Sequence, residues 1–518
     1  MEKIQSKKQY IIGTVLLAAY LLFNGILLAG HELWRDEANV WLIARDMTPW
    51  QLFQEIKYQG HPCLWYLIAM PFAKIGLPFQ TLSVLSFLVM GAAAGFFAYR
   101  APFHPITKAV VLLSPIMTYY YPVVARNYCL IALILMLLAF FYPKRNEKPM
   151  LYGLLLGLLV QADTIALATA GLISCMWLWE CVHTAMKERT KTPFITGAKG
   201  VWIPAASLVL WIFQFYQVSD SPEYEMKVLS AGEMLSEIKN FSYHILTRMT
   251  GQGQKFDLLL ILLFVTAGVL LSVKIKNIWP SVVMSGAFLF EVIFSIMVYQ
   301  LHIWHYIAIC FSLIWCFWVY LESRKEKLQN AENNDAADAE SGRSVWGKYV
   351  AIAGRILAEG LLVLLGITMF GRWNAPEENS SLSNAWNGLY SDGVHVAEYV
   401  KENIKPEELI LSTDVVEAAT VQAYLGKEYT FRFAGTGEAV TYANYTEEQS
   451  RQITTEALVG WISENYPEKK YFYLLKSPTN CVTDFDEQVT DSWELLYQTG
   501  EKTARGEEYS LYRITVQE

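Results

Sequence analysis

The residues best suited to chemistry lie a few positions after the first long apolar run, in the sequence WRDEAN at 34–39. Charged side chains beside a membrane are costly unless they are paired or take part in function. Because adjacent side chains point in different directions on a helix or a strand, Asp36 and Glu37 cannot both face one substrate atom. We therefore expect one to be catalytic and the other to support it. The alternative is a solvated loop in which Arg35 pairs with one acid.

Arg126 is a second candidate, in the connection YYYPVVARNY (119–128) between two apolar runs. The distribution of cations described below puts this connection on the outer side of a membrane, where an arginine is unusual and needs an anion. A guanidinium group can bind two phosphate oxygens through parallel hydrogen bonds. We expect a lipid-linked phosphate as its ligand; pairing with a headgroup phosphate, or capping of its own helix, is the structural alternative.

Three histidines are further candidates for the functional site. His61 precedes Pro62 at the start of the apolar segment 61–78, where it either faces the same cavity or caps a helix at the interface. His302 and His305 share one helix face, but the sequence offers no third metal ligand near them. The seven cysteines form no C-x-x-C pair. We predict no cofactor, and a divalent metal is an alternative that no motif indicates.

The elements that must hold these residues are membrane-spanning helices. Of the 518 residues, 53% are hydrophobic and only 17% are charged, which is too few charges to solvate a globule of this size. The apolar residues gather in about eleven runs of a length that crosses a hydrocarbon core. These runs are 10–29, 80–99, 107–122, 127–143, 151–166, 168–184, 200–218, 257–273, 279–299, 303–321 and 347–370. The net charge of −8, without a broad field of Lys and Arg, excludes nucleic acid as a partner.

Lysine and arginine between the runs predict the side of the membrane that each connection occupies. The clusters within 3–8, 100–108, 144–148, 187–199, 274–276 and 324–327 would all be cytoplasmic. We therefore expect a multi-pass protein of the plasma membrane with a cytoplasmic N-terminus, and with the active site and the C-terminal domain outside. The segment 61–78 does not fit this count as a crossing, so we expect it at the outer interface. The stretch 219–256 is expected to be a loop that borders the entry of the acceptor.

The chain divides into four parts. Residues 1–322 are expected to form the catalytic helical module. The polar, charged stretch 323–346 predicts a disordered cytoplasmic linker, and 347–370 predicts the last transmembrane helix. Strand and helix patterns alternate over 371–518, which predicts a small extracytoplasmic α/β domain. The expected fold class is mainly α, a polytopic transmembrane helical bundle with this small domain attached.

The order of these motifs resembles that of the GT-C glycosyltransferases. The resemblance is carried by Trp34-Arg35-Asp36-Glu37-Ala38, His61-Pro62-x-Leu64-x-Tyr66, Ser114-Pro115 with Tyr119-Tyr120, and Ala125-Arg126-Asn127-Tyr128. In particular, the chain is similar to bacterial protein O-mannosyltransferase-like and aminoarabinose-transferase-like members, over about the first 320 residues in order. Two positions depart from the pattern: Cys63 stands where a second proline is common, and His305-Tyr306 stands where a pair containing arginine is more usual.

The resemblance implies a glycosyltransferase of the hexosyl- or pentosyltransferase class that uses a dolichyl- or undecaprenyl-phosphate sugar. Its acceptor would be an extracytoplasmic glycan, lipid or protein of the cell envelope. Asp36 matches the group's first-loop acid and would act as base in an inverting transfer, with Glu37 as the adjacent acid. Arg126, with Tyr128 beside it, would bind the donor phosphate and stabilise it as it leaves. The residues expected to line the cavity are Arg35, His61, Tyr120, His302 and His305.

Two other classes of function remain open from the sequence. A lipid-linked-sugar flippase or other transporter should carry polar groups near the bilayer midplane and internal repeats between its halves. Few such groups are present, and no repeat is evident. The acids within apolar runs, Asp163 and Glu291, are either functional or satisfied packing contacts. A non-catalytic envelope assembly protein would bind partners through its outer domain and would tolerate Asp36→Asn.

Overall fold

The computed structural model describes residues 2–216, 229–334, 345–373, 381–485 and 493–516. Helices dominate these ranges, and a five-stranded sheet lies near the C-terminus. The helices that precede the sheet are α1 (Glu2–Gly30), α2 (Arg35–Asp46), α3 (Pro49–Glu55), α4 (Leu64–Lys74), α5 (Thr81–Arg100), α6 (Pro105–Leu113), α7 (Tyr128–Phe141), α8 (Pro149–Ala162), α9 (Leu167–Glu188), α10 (Thr192–Phe215), α11 (Ala231–Thr250), α12 (Gln254–Ile275), α13 (Trp279–Met297), α14 (Ile303–Asn334), α15 (Val345–Met369), α16 (Ser381–Asn387) and α17 (Gly393–Asn403).

Eight of the described helices are long and apolar enough to cross a membrane, so the chain is a multi-pass membrane protein. They are α1, α5, α9, α10, α12, α13, α14 and α15. Helices α7 and α8 are apolar but shorter, with fourteen residues each. The expected fold class, a helical membrane bundle with a small α/β domain, is confirmed.

The expected crossing over 107–122 is a short helix followed by irregular backbone. Helix α6 ends after nine residues at Leu113, and turns follow as far as residue 127. Ser114 is extended (ψ 167°), because the proline that follows it disfavours the helical conformation. The prediction of a spanning helix was therefore wrong here. We call the irregular stretch 114–127 the buried turn segment.

Helix α1 supplies the hydrogen bonds that this segment needs. Buried backbone polar groups outside a helix or sheet need hydrogen-bond partners within the protein. The Asn24 side chain accepts a hydrogen bond from the backbone N–H of Tyr119 at 3.0 Å, and the Tyr20 hydroxyl donates to the carbonyl of Met117 at 3.0 Å. Tyr119 has a positive φ of 66°, which turns the chain back on itself. The segment is thereby fixed against α1.

The first connection, between α1 and α5, is folded into α2, α3 and α4. Helix α4 has eleven residues and is about 16 Å long, whereas a hydrocarbon core is roughly 30 Å thick. It is too short to span, in keeping with the interfacial position expected for 61–78. Helix α2 packs against α4 on one side and against the C-terminal domain on the other.

Two segments differ from the sequence-based expectation. Helix α14 continues to Asn334, so the first part of the linker expected over 323–346 is helical; its lysine, glutamate, glutamine and alanine residues are good helix formers. Residues 335–344 lie outside the described residues. The stretch 219–256 was expected to be a loop, yet α11 occupies much of it, and 217–228 lie outside the described part of the chain.

The C-terminal domain is built on one mixed sheet. Its strands are β1 (Ile410–Ser412), β2 (Phe431–Phe433), β3 (Tyr471–Lys476), β4 (Trp493–Gln498) and β5 (Ser510–Thr515), in the order β2-β1-β3-β5-β4. Strand β1 is parallel to β2 and β3, and β5 is antiparallel to β3 and β4. The remaining helices are α18 (Ala418–Leu425) and α19 (Thr455–Asn465).

Alternate residues of these strands pack on opposite faces of the sheet, as the period of a strand requires. Ile410 and Leu475 belong to the core shared with α17 and α18. Leu411 and Leu474 belong to the core shared with α19. Helix α18, packed on one face, also contacts α2, so the domain is docked onto the first connection of the membrane bundle.

Candidate active site

A cavity of about 410 Å³ lies between α2, the buried turn segment, the start of α14 and the C-terminal domain. Six of the residues predicted from the sequence line it: Arg35, Asp36, His61, Arg126, Tyr128 and His305. Further lining residues are Asn39, Gln59, Tyr66, Asp163, Tyr299, Trp304, Asp414, Tyr445, Gln449, Ser450 and Thr479. We call this space the Asp36 cavity.

Asp36 lies in the first turn of α2 and accepts a hydrogen bond from Arg126 Nη1. The Nε atom of Arg35 lies 4.0 Å from its other carboxylate oxygen. Burial raises the pKa of Asp36, but the charges of Arg126 and Arg35 outweigh this and hold the pKa below its usual value. The carboxyl group is therefore ionised at neutral pH. Since 24% of its side chain is exposed, a molecule in the cavity can reach it.

Glu37, which was predicted as a catalytic residue, does not line the cavity. It is fully buried and accepts hydrogen bonds from the backbone N–H groups of Trp34 (3.1 Å) and Ala125 (2.6 Å). Its Oε2 also lies 3.2 Å from His31 Nε2. Successive residues of a helix are rotated by about 100°, so Glu37 turns inward where Asp36 faces the cavity. In the structure, Glu37 thus ties α2 to Ala125, the residue next to Arg126.

Arg126 connects Asp36 and His61 through its guanidinium group. Nη1 donates to Asp36, and Nη2 lies 2.7 Å from His61 Nε2. Burial by itself would lower the pKa of Arg126, but the Asp36 carboxylate raises it above its usual value, so the group stays charged. Within the described residues, Nε has no hydrogen-bond partner. The guanidinium also lies 5.7 Å from the centre of the Tyr128 ring, within range of a cation–π contact.

His61 links Arg126 to Asp163. Its Nε2 faces a guanidinium, which can only donate, so Nε2 accepts and the proton of the neutral ring lies on Nδ1. Nδ1 then donates to Asp163 Oδ2 at 3.1 Å. The same oxygen accepts from the Asn127 side chain at 2.6 Å. Asp163 therefore fixes the orientation of His61, and His61 fixes that of Arg126.

His305 is held between the start of α14 and Tyr128. Its Nδ1 accepts from the backbone N–H of His302 at 2.9 Å, so the neutral ring carries its proton on Nε2. Nε2 lies 2.9 Å from the Tyr128 hydroxyl, which accepts this proton's hydrogen bond. Both ring nitrogens of His305 therefore have hydrogen-bond partners. Among the described residues, no group of three or more His, Cys, Asp or Glu is arranged to hold a metal ion.

Two residues predicted to line the cavity are placed elsewhere. His302 precedes the first turn of α14 and stacks on Trp304, with ring centres 4.7 Å apart. Burial, with the charge of Arg248, lowers the pKa of His302 to about 4, so the ring is neutral. Tyr120 lines a separate void of about 10 Å³ that adjoins Asp36 and Arg126.

The wall formed by the C-terminal domain was not found from the sequence. It consists of Asp414, Tyr445, Gln449, Ser450 and Thr479, which come from connections between strands and helices. Polar residues are ordinary in such loops, so their types and spacing gave no signal. Only the folded domain brings them to face Asp36.

Arg35 connects α2, on the side of the membrane bundle, to the wall of the cavity that the C-terminal domain forms. Its Nη1 lies 3.3 Å from Glu417 Oε1, and its backbone N–H donates to Glu507 Oε1 at 2.7 Å. Burial raises the pKa of Glu507 to about 7, and burial together with Asp414 raises that of Glu417 to about 7. The contact that holds the domain on α2 therefore contains two carboxyl groups that titrate near neutrality.

Comparison with known proteins shows similarity of fold only. No protein-family model and no curated protein matches the chain. Among solved structures, it is similar to ArnT from Cupriavidus metallidurans bound to undecaprenyl phosphate, with 12% identity and a TM-score of 0.47. It is also similar to the apo state of ArnT from the same organism, with 15% identity and a TM-score of 0.48. Each comparison covers 96% of this chain and 97% of the other.

Proposed function

We propose that the protein is a membrane glycosyltransferase of the GT-C type, which transfers a sugar from a polyprenyl-phosphate carrier to an acceptor outside the cytoplasm. The observation that carries the proposal is the contact between Asp36 and Arg126 inside a cavity of about 410 Å³. Transfer from a lipid phosphate needs a base for the acceptor hydroxyl and a cation for the leaving phosphate. Both groups are present, ionised, and accessible from one space.

Asp36 would serve as the base. The acceptor oxygen attacks the anomeric carbon of the sugar while its proton passes to the Asp36 carboxylate. The bond between the anomeric carbon and the phosphate oxygen breaks on the opposite face, and its electron pair stays on the phosphate. The anomeric configuration is inverted, and the products are the glycosylated acceptor and the polyprenyl phosphate.

Arg126 would bind the donor phosphate. The paired N–H groups of its planar guanidinium, which we call the fork, can form two hydrogen bonds to phosphate oxygens. Its charge stabilises the negative charge that grows as the glycosidic bond breaks. His61 and Asp163 hold the fork in place. A carboxylate that is paired with a guanidinium is a weak base. When a phosphate takes over hydrogen bonds of Arg126, Asp36 is released, so binding of the donor would activate the base.

An assay with purified protein in lipid nanodiscs tests this function. A panel of radiolabelled undecaprenyl-phosphate sugars is incubated with an envelope extract as the acceptor, and released undecaprenyl phosphate is measured together with labelled product. We expect one donor to be consumed by the wild type. Asp36→Asn should lower the rate about 100-fold or more, the usual contribution of a general base. Glu55→Gln, a carboxylate-to-amide change in the neighbouring helix α3, serves as control and should keep full activity.

Two results would reject the proposal. One is full transfer by Asp36→Asn, which would indicate an assembly protein that needs no base. The other is movement of the lipid-linked sugar across the bilayer by the wild type without any transfer, which would indicate a flippase.

A further inference from the structure

Arg505 of the C-terminal domain lies beside the proposed catalytic pair, although it is remote from it in sequence. It belongs to the connection between β4 and β5. With Trp34 and Tyr120 it lines the void of about 10 Å³ that Asp36 and Arg126 also line. Such a space holds about one water molecule. Arg126, Asp36 and Arg505 thus border one space, and the charge of Arg505 also contributes to the low pKa of Asp36.

Aromatic rings from three parts of the chain hold this guanidinium. Its central carbon lies 4.8 Å from the ring centre of Trp34, 4.9 Å from that of Trp304 and 5.2 Å from that of Tyr390. Its Nε donates to the Tyr390 hydroxyl at 2.9 Å. Flat guanidinium groups stack well on such rings while their N–H groups keep the capacity to bind anions. The position of Arg505 is therefore fixed before any ligand binds.

The backbone on either side of Arg505 is docked onto the membrane bundle and the segment after α16. Ala504 N–H donates to the carbonyl of Leu389 at 2.8 Å. Glu507 is fully buried and accepts from the Ser391 hydroxyl at 2.5 Å, as well as from the backbone of Arg35. Arg505 thus reaches the site only while this connection is docked.

We propose that Arg505 binds the phosphate of the donor together with Arg126, so that the C-terminal domain completes the donor site. This inference rests on the proposed function. On the bundle side, His61 and Asp163 hold Arg126; on the domain side, the three rings hold Arg505. A phosphate that takes the place of Asp36 on Arg126 lies next to the void that Arg505 also lines, so it can accept hydrogen bonds from both guanidinium groups, and the carboxylate is left to face the acceptor.

Binding of lipid without any transfer reaction tests the proposal. The full chain in nanodiscs is titrated with undecaprenyl phosphate and, separately, with undecaprenol, which has the same tail and no phosphate. The ratio of the two affinities measures recognition of phosphate alone. We expect Arg505→Met to lower this ratio about tenfold, the effect of a hydrogen bond to a charged group. Lys502→Met removes a cation from the same connection, at an exposed position, and should leave the ratio unchanged.

Arg505→Lys separates recognition of phosphate from folding. Lysine keeps the charge and its contact with the rings but lacks the planar fork, so we expect a smaller drop in the ratio with unchanged binding of undecaprenol. Unchanged undecaprenol binding also shows that each variant keeps an intact bundle. A wild-type ratio near one would refute the proposed function itself. A wild-type preference for phosphate that Arg505→Met and Arg505→Lys both retain in full would overturn this inference alone.

Discussion

The two walls of the Asp36 cavity are built from different interactions. On the bundle side, a chain of charged and polar groups runs from Asp163 through His61 and Arg126 to Asp36, each in direct contact with the next. On the domain side, the lining groups are mostly neutral, and the wall is held in place by the contacts of Arg35 with Glu417 and Glu507.

This difference suggests separate functions for the two walls of the cavity. The bundle wall is preorganised, since every member has a partner that fixes its direction, and preorganised charge is what stabilises a transition state. The domain wall depends on docking and carries groups suited to binding hydroxyl groups. We therefore expect substitutions in the bundle wall to change the rate of transfer, and substitutions in the domain wall to change binding and stability.

The largest effect should come from Arg126 in the bundle wall. In the proposed reaction, Arg126→Met removes the cation that stabilises the leaving phosphate, so we expect kcat to fall about 1,000-fold, as for the loss of a strong electrostatic contact. Arg126→Lys should recover part of the loss, because lysine retains charge without the fork. Steady-state kinetics with the donor measure both. A change in KM alone, with kcat unaffected, would contradict a role in the transition state.

A smaller effect is expected from Asp163, which acts through His61. Asp163→Asn should lower kcat about tenfold, since one charged hydrogen bond that orients His61 is lost. Glu291→Gln is the matched control: Glu291 is also a buried acid in the bundle, but it does not line the cavity. Equal losses in both variants would show that burial of an acid, rather than contact with His61, decides the effect.

Docking of the domain wall is best tested at Asn39 of α2, because its side chain contacts the C-terminal domain. Its side chain donates to the Ala443 carbonyl at 3.1 Å and accepts from the Ala443 N–H at 2.8 Å. Asn39→Ala leaves both buried backbone groups without this partner, so we expect a loss of about 1–3 kcal/mol in the free energy of unfolding. Thermal denaturation measures it. Asn403→Ala, at an exposed position, is the control and should change stability little.

The bundle wall could be predicted from the sequence because its charges stand out against apolar surroundings. Asp36, His61 and Arg126 drew attention for that reason, and the structure brings them together. Which of two adjacent acids faces the cavity depends on the rotation of α2 about its axis, and the sequence does not show that rotation. Arg505 stands among other charged residues in a polar connection, so nothing distinguished it before the domain was docked.

The same reasoning explains which elements were predicted well. The long spans follow from apolar runs, since length and hydropathy are sufficient to define them. The run 107–122 was also apolar enough to be predicted as a crossing, but the part of it in the buried turn segment receives backbone hydrogen bonds from α1 instead of forming a helix. Hydropathy does not report hydrogen bonds between distant residues, so the segment was predicted as a crossing.

The smallest effect concerns pH and the docking contact. In the folded protein, burial raises the pKa of Glu507 to about 7, and burial with Asp414 raises that of Glu417 to about 7, against an ordinary value of 4.5 for both. Between these values the folded state binds protons more tightly than the unfolded state, so stability falls as pH rises from about 4.5 to about 7. We expect the melting temperature to decrease over this range by a few degrees.

Glu507→Gln combined with Glu417→Gln should flatten the dependence of the melting temperature on pH, whereas Glu494→Gln, which changes an exposed acid of β4, should leave it unchanged. An unchanged slope in the double variant would place the titrating groups elsewhere and would leave the docking of the domain wall independent of pH.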